Sequence, residues 1–152
     1  MNQKTIAKTA QISGLGIHTG KKVTIRLNPA PKNTGIVFVR SDKNNIKIPV
    51  TVNSMYSTNR ATIIANGDNK IITPEHLLAT LNVFGIDNVI IDIDSEEVPI
   101  LDGSARDFID LILSVGTKEL DENRKTIKID DSIMEIGLNC NLVVLPDEDF
   151  KI

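Results

Sequence analysis

The sequence predicts an α+β fold, two helices packed on one face of a mostly antiparallel sheet, and three observations carry that expectation. Short stretches rich in isoleucine and valine, broken by glycine and proline, fill the first half of the 152 residues, and β-branched side chains suit a pleated, half-buried surface. Two segments, one opening at Thr73 and one near Ala105, instead space their apolar residues as a helix does. Strands and helices do not alternate in a regular βαβ rhythm, which argues against a doubly wound parallel sheet.

Taken in order, Lys4 to Ile12 reads as a strand, followed by the glycine-bounded loop Gly14-Leu15-Gly16-Ile17-His18-Thr19-Gly20. Val23, Ile25 and Leu27 lie on one side of the next strand. The turn-rich run Pro29 to Gly35 separates it from a strand over Ile36 to Arg40. Further short strands are expected at Ile46 to Val50, Arg60 to Ala65 and Lys70 to Ile72, with Asn66-Gly67 as a hairpin turn because both residues tolerate positive φ. Thr73 is the expected cap of the first helix, with Pro74 at its first position. Its stripe is Leu77, Leu78, Leu81 and Phe84, and Gly85 stops it. Asn88 to Asp94 reads as a strand, with Val89, Ile91 and Ile93 on one face. The second helix runs from about Ala105 to Val115, with Phe108, Leu111, Ile112 and Val115 as its stripe. The polar run Asp121 to Lys125 is a candidate boundary. Thr126 to Glu135 and Asn139 to Leu145 then read as strands, and another starts at Phe150-Lys151-Ile152.

Composition narrows the function classes. Aromatic residues make up 3% of the chain, with no Trp, so Ile, Val and Leu must build the core. The formal charge is −3, and acidic and basic residues are interspersed. No basic stripe with stacking aromatics is visible, so nucleic acid is not an expected partner. The single cysteine, Cys140, has no internal disulfide partner and reads as a core residue, which fits a reducing compartment. No apolar run approaches the roughly 18 residues of a membrane span. The opening residues lack the apolar segment of a signal peptide, so a cytoplasmic location is expected.

Only two histidines are present, His18 and His76. His76 follows Glu75 in the first turn of the first helix, and both point well away from the centre of the leucine stripe. A neutral imidazole binds zinc, and a neighbouring carboxylate takes a proton from the attacking water. From spacing alone the plainer alternative stays open, with Glu75 serving the helix dipole and His76 solvated. His18 reads as a turn residue, and Asp102-Gly103-Ser104 as a turn and cap, because no histidine is placed to activate Ser104 as a nucleophile. Lys21-Lys22 reads as a solvated strand edge.

Four segments, read together, carry a resemblance. They are Gly14 to Lys21, Thr73-Pro74-Glu75-His76-Leu77-Leu78-Ala79, Gly85-Ile86-Asp87-Asn88, and Val98-Pro99-Ile100-Leu101-Asp102-Gly103-Ser104-Ala105. In this order and at these intervals the chain resembles the UDP-3-O-acyl-N-acetylglucosamine deacetylases, zinc hydrolases of the committed step of lipid A synthesis. The resemblance implies a fold of two related domains, each with two helices on a sheet, and an active site between them. It implies that His76 is a zinc ligand and Glu75 the general base. It places the His18 loop on the active-site side without assigning it a step. Residues 1–124 correspond to the first domain, and 125–152 to the start of an incomplete second one.

The family's other two zinc ligands form a His-x-x-x-Asp pair in the second domain, and no histidine follows residue 124 here. The expectation is therefore an N-terminal portion of the enzyme that is inactive alone, with UDP-3-O-acyl-N-acetylglucosamine as substrate of the complete protein. The alternative expectation is a stand-alone, non-catalytic domain that self-associates across the surface a second domain would cover.

Overall fold

Five strands form the central sheet of the structure, a computed structural model describing residues 1–149 and 151. They are β2 (Ala10–Leu15), β3 (Lys22–Pro29), β4 (Ile36–Arg40), β5 (Ile46–Pro49) and β9 (Val89–Ile93), in the order β2-β3-β9-β4-β5. All neighbours are antiparallel except β4 and β9, which run parallel. The period-2 pattern sorts the faces. Val23, Ile25, Leu27, Phe38, Ile48, Ile91 and Ile93 are fully buried or nearly so, whereas Thr24, Arg26 and Asp92 face the other way.

Two helices complete the core over that inner face. In α1 (Glu75–Val83) Leu77 and Leu81 are buried, and in α2 (Arg106–Val115) Phe108 and Ile112 are buried; all four belong to one cluster with the sheet's inner residues. Helix α1 ends as the glycine predicts. Gly85 has φ +64°, its N–H donates to the Asn82 carbonyl, and the Ile86 N–H donates to the Leu81 carbonyl. A smaller sheet of β6 (Met55–Ser57), β7 (Ile63–Asn66) and β8 (Asn69–Ile72) leads into α1, with β7 and β8 turning through Gly67 at φ +57°. The fold is α+β, two helices with several mostly antiparallel sheets, as expected from sequence.

Some elements differ from the sequence reading. The expected strand Lys4 to Ile12 is two strands in different sheets. The exposed residues Ala7-Lys8-Thr9 separate β1 (Asn2–Ile6) from β2, and β1 pairs antiparallel with β10 (Thr117–Asn123). Strand β10 has no apolar alternation to betray it; its backbone pairing with β1 makes it a strand. Arg124 closes this ribbon, donating its backbone N–H to the Met1 carbonyl and its Nε to Asp87 Oδ1 at 2.7 Å.

Beyond Arg124 the expected strands shrink to a hairpin, β11 (Ile133–Ile136) and β12 (Asn141–Val144), which pair only with each other. Leu138, Leu142 and Leu145 are exposed there, and so is Cys140, contrary to its reading as a core residue. An alternating strand buries one face only when a second layer lies over it, and the hairpin has none. The strand expected at Phe150-Lys151-Ile152 falls largely outside the described residues. Among the described residues no helix is long and apolar enough to cross a membrane.

Candidate functional site

Helix α1 opens differently from the sequence expectation. Thr73 does not cap it. The N-cap is Pro74, with no side-chain cap bond, and the Pro74 carbonyl receives the Leu78 N–H at 2.9 Å. Thr73 instead holds φ +58°, the left-handed region that a β-branched residue rarely occupies. Its N–H donates to the Thr62 carbonyl at 2.9 Å, and both backbone groups of Ile72 before it are paired as well. Thr73 is 4% exposed.

Glu75 and His76 follow in the first turn, both half-buried. Two buried side-chain polar atoms lack a hydrogen-bond partner among the described residues, Thr73 Oγ1 and Glu75 Oε2. Such orphans are uncommon in folded proteins and each costs free energy. Here they belong to two residues, Thr73 and Glu75, that immediately precede His76 in the chain. One oxygen of the Glu75 carboxylate is thus out of water.

His18 sits in a loop that is fastened from below. The Gly20 N–H donates to the Gly16 carbonyl and the Gly16 N–H to the Lys21 carbonyl, both at 3.0 Å. The backbone N–H groups of His18 and Thr19 each donate to the carboxylate of Glu97 at 2.8 Å. Glu97 is 0% exposed. Burial, the largest single influence, pushes its carboxyl up, but hydrogen bonds from the His18 N–H, the Thr19 hydroxyl and the Thr19 N–H together outweigh it and hold the carboxyl below its ordinary value. The His18 side chain is exposed.

One strut joins the two histidine segments. Between Glu96 and Ile100 the chain runs beside the end of β8, where the Ile72 N–H donates to the Glu96 carbonyl at 2.8 Å and the Val98 N–H to the Ile72 carbonyl at 3.0 Å. Ile72 directly precedes Thr73. The same strut reaches β2 through the Ile100 N–H, which donates to the Leu15 carbonyl at 2.9 Å. Two of the four segments singled out in the sequence, Gly14 to Lys21 and Val98 to Ala105, thus meet, and the strut also holds the residue before the third. The fourth, Gly85 to Asn88, is structural, with the Asp87 and Asn88 N–H groups bound to the Lys4 carbonyl and the Asn88 side chain bridging Gln3 and Gly35.

The other candidates behave as turns and edges. Ser104 Oγ donates to Asp102 at 2.8 Å and accepts the Arg106 N–H at 3.1 Å, which makes Asp102-Gly103-Ser104 the start of α2. Lys21 is exposed, 3.8 Å from Glu96. Sequence reasoning missed Glu97 and the backbone of Thr73. The only signal for Glu97 was an acidic residue set against Val98-Pro99-Ile100, an apolar run with no lysine or arginine to pair it.

Among the described residues no three His, Cys, Asp or Glu side chains gather in a metal-binding group. Concavities of about 340 and 240 Å³ open beside β1 and Asn88, and neither is lined by Glu75 or His76. What the first turn of α1 offers a metal is the His76 imidazole and, on the preceding residue, a carboxylate with an unpartnered oxygen. That donor set fits one corner of a zinc site together with a base.

Comparison with known proteins bears on the chain as a whole. The family model described as LpxC, UDP-3-O-acyl N-acetylglycosamine deacetylase, matches residues 3–152. The chain is 40% identical over 153 aligned positions to the UDP-3-O-acyl-N-acetylglucosamine deacetylase of Coxiella burnetii, covering 100% of this chain and 50% of that protein. It is 43% identical to the protein of the same name from Thermodesulfovibrio yellowstonii, covering 99% and 51%, and 41% identical to that of Actinobacillus pleuropneumoniae serotype 3, covering 88% and 44%. The chain therefore spans about half the length of the curated relatives it matches.

Proposed function

Because the chain belongs to the UDP-3-O-acyl N-acetylglycosamine deacetylase family, we propose that it is the first domain of a zinc-dependent hydrolase acting on UDP-3-O-acyl-N-acetylglucosamine. The reaction removes the acetyl group from the sugar amide, the committed step of lipid A synthesis, in the cytoplasm. The observation that carries this reading is the opening turn of α1, where Glu75, the residue before His76, keeps its Oε2 buried and unpartnered.

In this reading His76 holds zinc through its imidazole, and Glu75 is the general base. Zinc, when bound, supplies Lewis-acid activation of the water and of the amide carbonyl. The Glu75 carboxylate takes the proton of the attacking water and returns it toward the departing amine, so that acetate leaves. The N-terminal end of α1 favours negative charge and helps keep that carboxylate ionised. The remaining ligands, and the contacts to the nucleotide and acyl chain, lie in a second domain. Residues 1–124 make up the first domain, and residues 125–152 begin the second.

A catalytic zinc needs about three protein ligands, and this chain supplies His76 as its one ligand in the present reading. The 152-residue chain alone is expected to bind zinc weakly and to release no acetate. The test is acetate release from UDP-3-O-acyl-N-acetylglucosamine by a protein carrying this segment with the rest of the relatives' length. Release that stops with a chelator and returns with zinc is expected; release indifferent to metal contradicts the proposal.

A second reading, a non-catalytic domain that self-associates, draws on the exposed apolar side chains of Leu138, Leu142 and Leu145. It requires the isolated chain to form a defined oligomer in sedimentation, and a monomer at all concentrations removes it.

A further inference from the structure

The strut between Glu96 and Ile100 carries a group that the proposed hydrolysis does not use. Glu97 is wholly buried, and among the described residues it forms no salt bridge. A buried carboxylate without a cationic partner is an expensive choice if the only need is to close a loop, because an apolar side chain would fill the space at lower cost. What a carboxylate does that an apolar group cannot is accept hydrogen bonds in fixed directions. Its two oxygens divide between the His18 and Thr19 N–H groups, one each, at 2.8 Å.

Gly16 makes the same point independently. A Cβ there would collide with Glu97 Oε2 and would stand 2.6 Å from Thr19 Oγ1. Gly16 does not adopt positive φ, so its glycine answers to the approach of the carboxylate and not to a turn conformation. The loop is thus shaped around Glu97. The backbone of Glu97 is in turn bridged to Ile72, the residue before the strained Thr73.

We propose that Glu97 is the positioning residue for His18: its carboxylate, fastened through the strut to the end of β8, sets where the His18 imidazole stands relative to Glu75 and His76. The inference rests on the reading of Glu75 and His76 as the reacting pair. It adds His18 to that working face and Glu97 as the group that holds it there.

The first measurement is amide hydrogen exchange at His18 and Thr19 in the chain, with Ile91 and Phe108 as core reporters. Glu97→Gln keeps the size of the side chain but removes its charge, and exchange at His18 and Thr19 is expected to rise about 10-fold to 100-fold with the core unchanged. Gly16→Ala, which keeps Glu97 but drives it off the loop, is expected to give the same pattern. Unchanged loop exchange in both variants, or a rise in the core equal to that in the loop, overturns the inference.

The second measurement uses a protein carrying this segment with the rest of the family's length. His18→Ala and Glu97→Gln should each lower kcat/KM, and the double variant should fall no lower than His18→Ala alone. No loss from either substitution, or losses that multiply, overturns the inference. Glu75→Ala run alongside keeps the readings separable. Undiminished turnover in that variant sinks the reading of Glu75 as the base while the loop result stands, and a loop indifferent to Glu97 sinks the present inference while the reading of Glu75 stands.

Discussion

Around His18 the backbone donors of the loop meet a buried carboxylate, a glycine makes room for it, and His18 itself is exposed. Around His76 the pattern reverses. The backbone is strained at Thr73, the nearby carboxylate has a buried oxygen with no partner, and the helix begins without a side-chain cap. A satisfied loop holds a side chain in place, whereas an unsatisfied turn keeps polar atoms ready for something that is not part of the fold. In the reading proposed above, the difference separates a region that positions a side chain from a region that reacts.

The largest expected effect breaks the reacting side of this contrast. Glu75→Ala, in a protein carrying both halves of the family's length, should lower turnover by about 10²–10⁴-fold, as for a lost general base, with zinc content unchanged. Near-normal turnover in a steady-state assay removes Glu75 from the chemistry.

The next attacks the satisfied loop. Glu97→Ala leaves the His18 and Thr19 N–H groups without their acceptor and should destabilise the chain by about 2–4 kcal/mol, measured by urea denaturation. A loss below about 0.5 kcal/mol, the range of ordinary surface changes, means that the loop does not depend on the carboxylate.

Thr73→Val gives the contrast its opposite sign. It removes an unpartnered buried hydroxyl at nearly constant volume and should stabilise the chain by about 1 kcal/mol. Destabilisation by the same amount shows that the hydroxyl has a partner in the folded chain, and the two turns then no longer differ in kind.

How much of this was legible in the sequence depends on which interaction decided each element. The inner face of the central sheet was readable because Val23, Ile25 and Leu27 alternate with polar residues and Val89, Ile91 and Ile93 recur at every second position, and burial follows the pleat. The end of α1 was readable because Gly85 is the residue that tolerates the backbone there. Strand β10 was not readable, because Lys118, Glu119 and Asp121 show no buried face and its pairing with β1 joins residues over a hundred positions apart. At the site, Glu75 and His76 stood out as a pair, but spacing alone could not tell a reacting pair from a solvated turn. Thr73 looked like a cap, since local chemistry favours threonine there, and the contacts of Ile72 and Thr62 overrode that preference. Glu97 was missed because what it serves lies 78 and 79 residues away in sequence.

The smallest expected effect is a pH dependence in the satisfied loop. The Glu97 carboxyl is held below its ordinary value of 4.5 in the folded chain, so between the folded and unfolded values the unfolded chain binds more protons. Its stabilising contribution is complete above the unfolded value and is lost as pH falls through the folded one. Denaturation of the wild-type chain and of Glu97→Gln, compared below about pH 4.5, should show the wild type losing stability more steeply on acidification. Parallel curves mean that the carboxylate is no better satisfied folded than unfolded.

Zinc content tests the central claim most directly, measured per protein in His76→Ala beside the unsubstituted form of a protein carrying this segment and the rest of the family's length. If the opening turn of α1 supplies a metal ligand, the variant loses most of its zinc and its turnover together while its thermal unfolding stays cooperative. A folded His76→Ala protein that keeps both its zinc and its turnover contradicts the account.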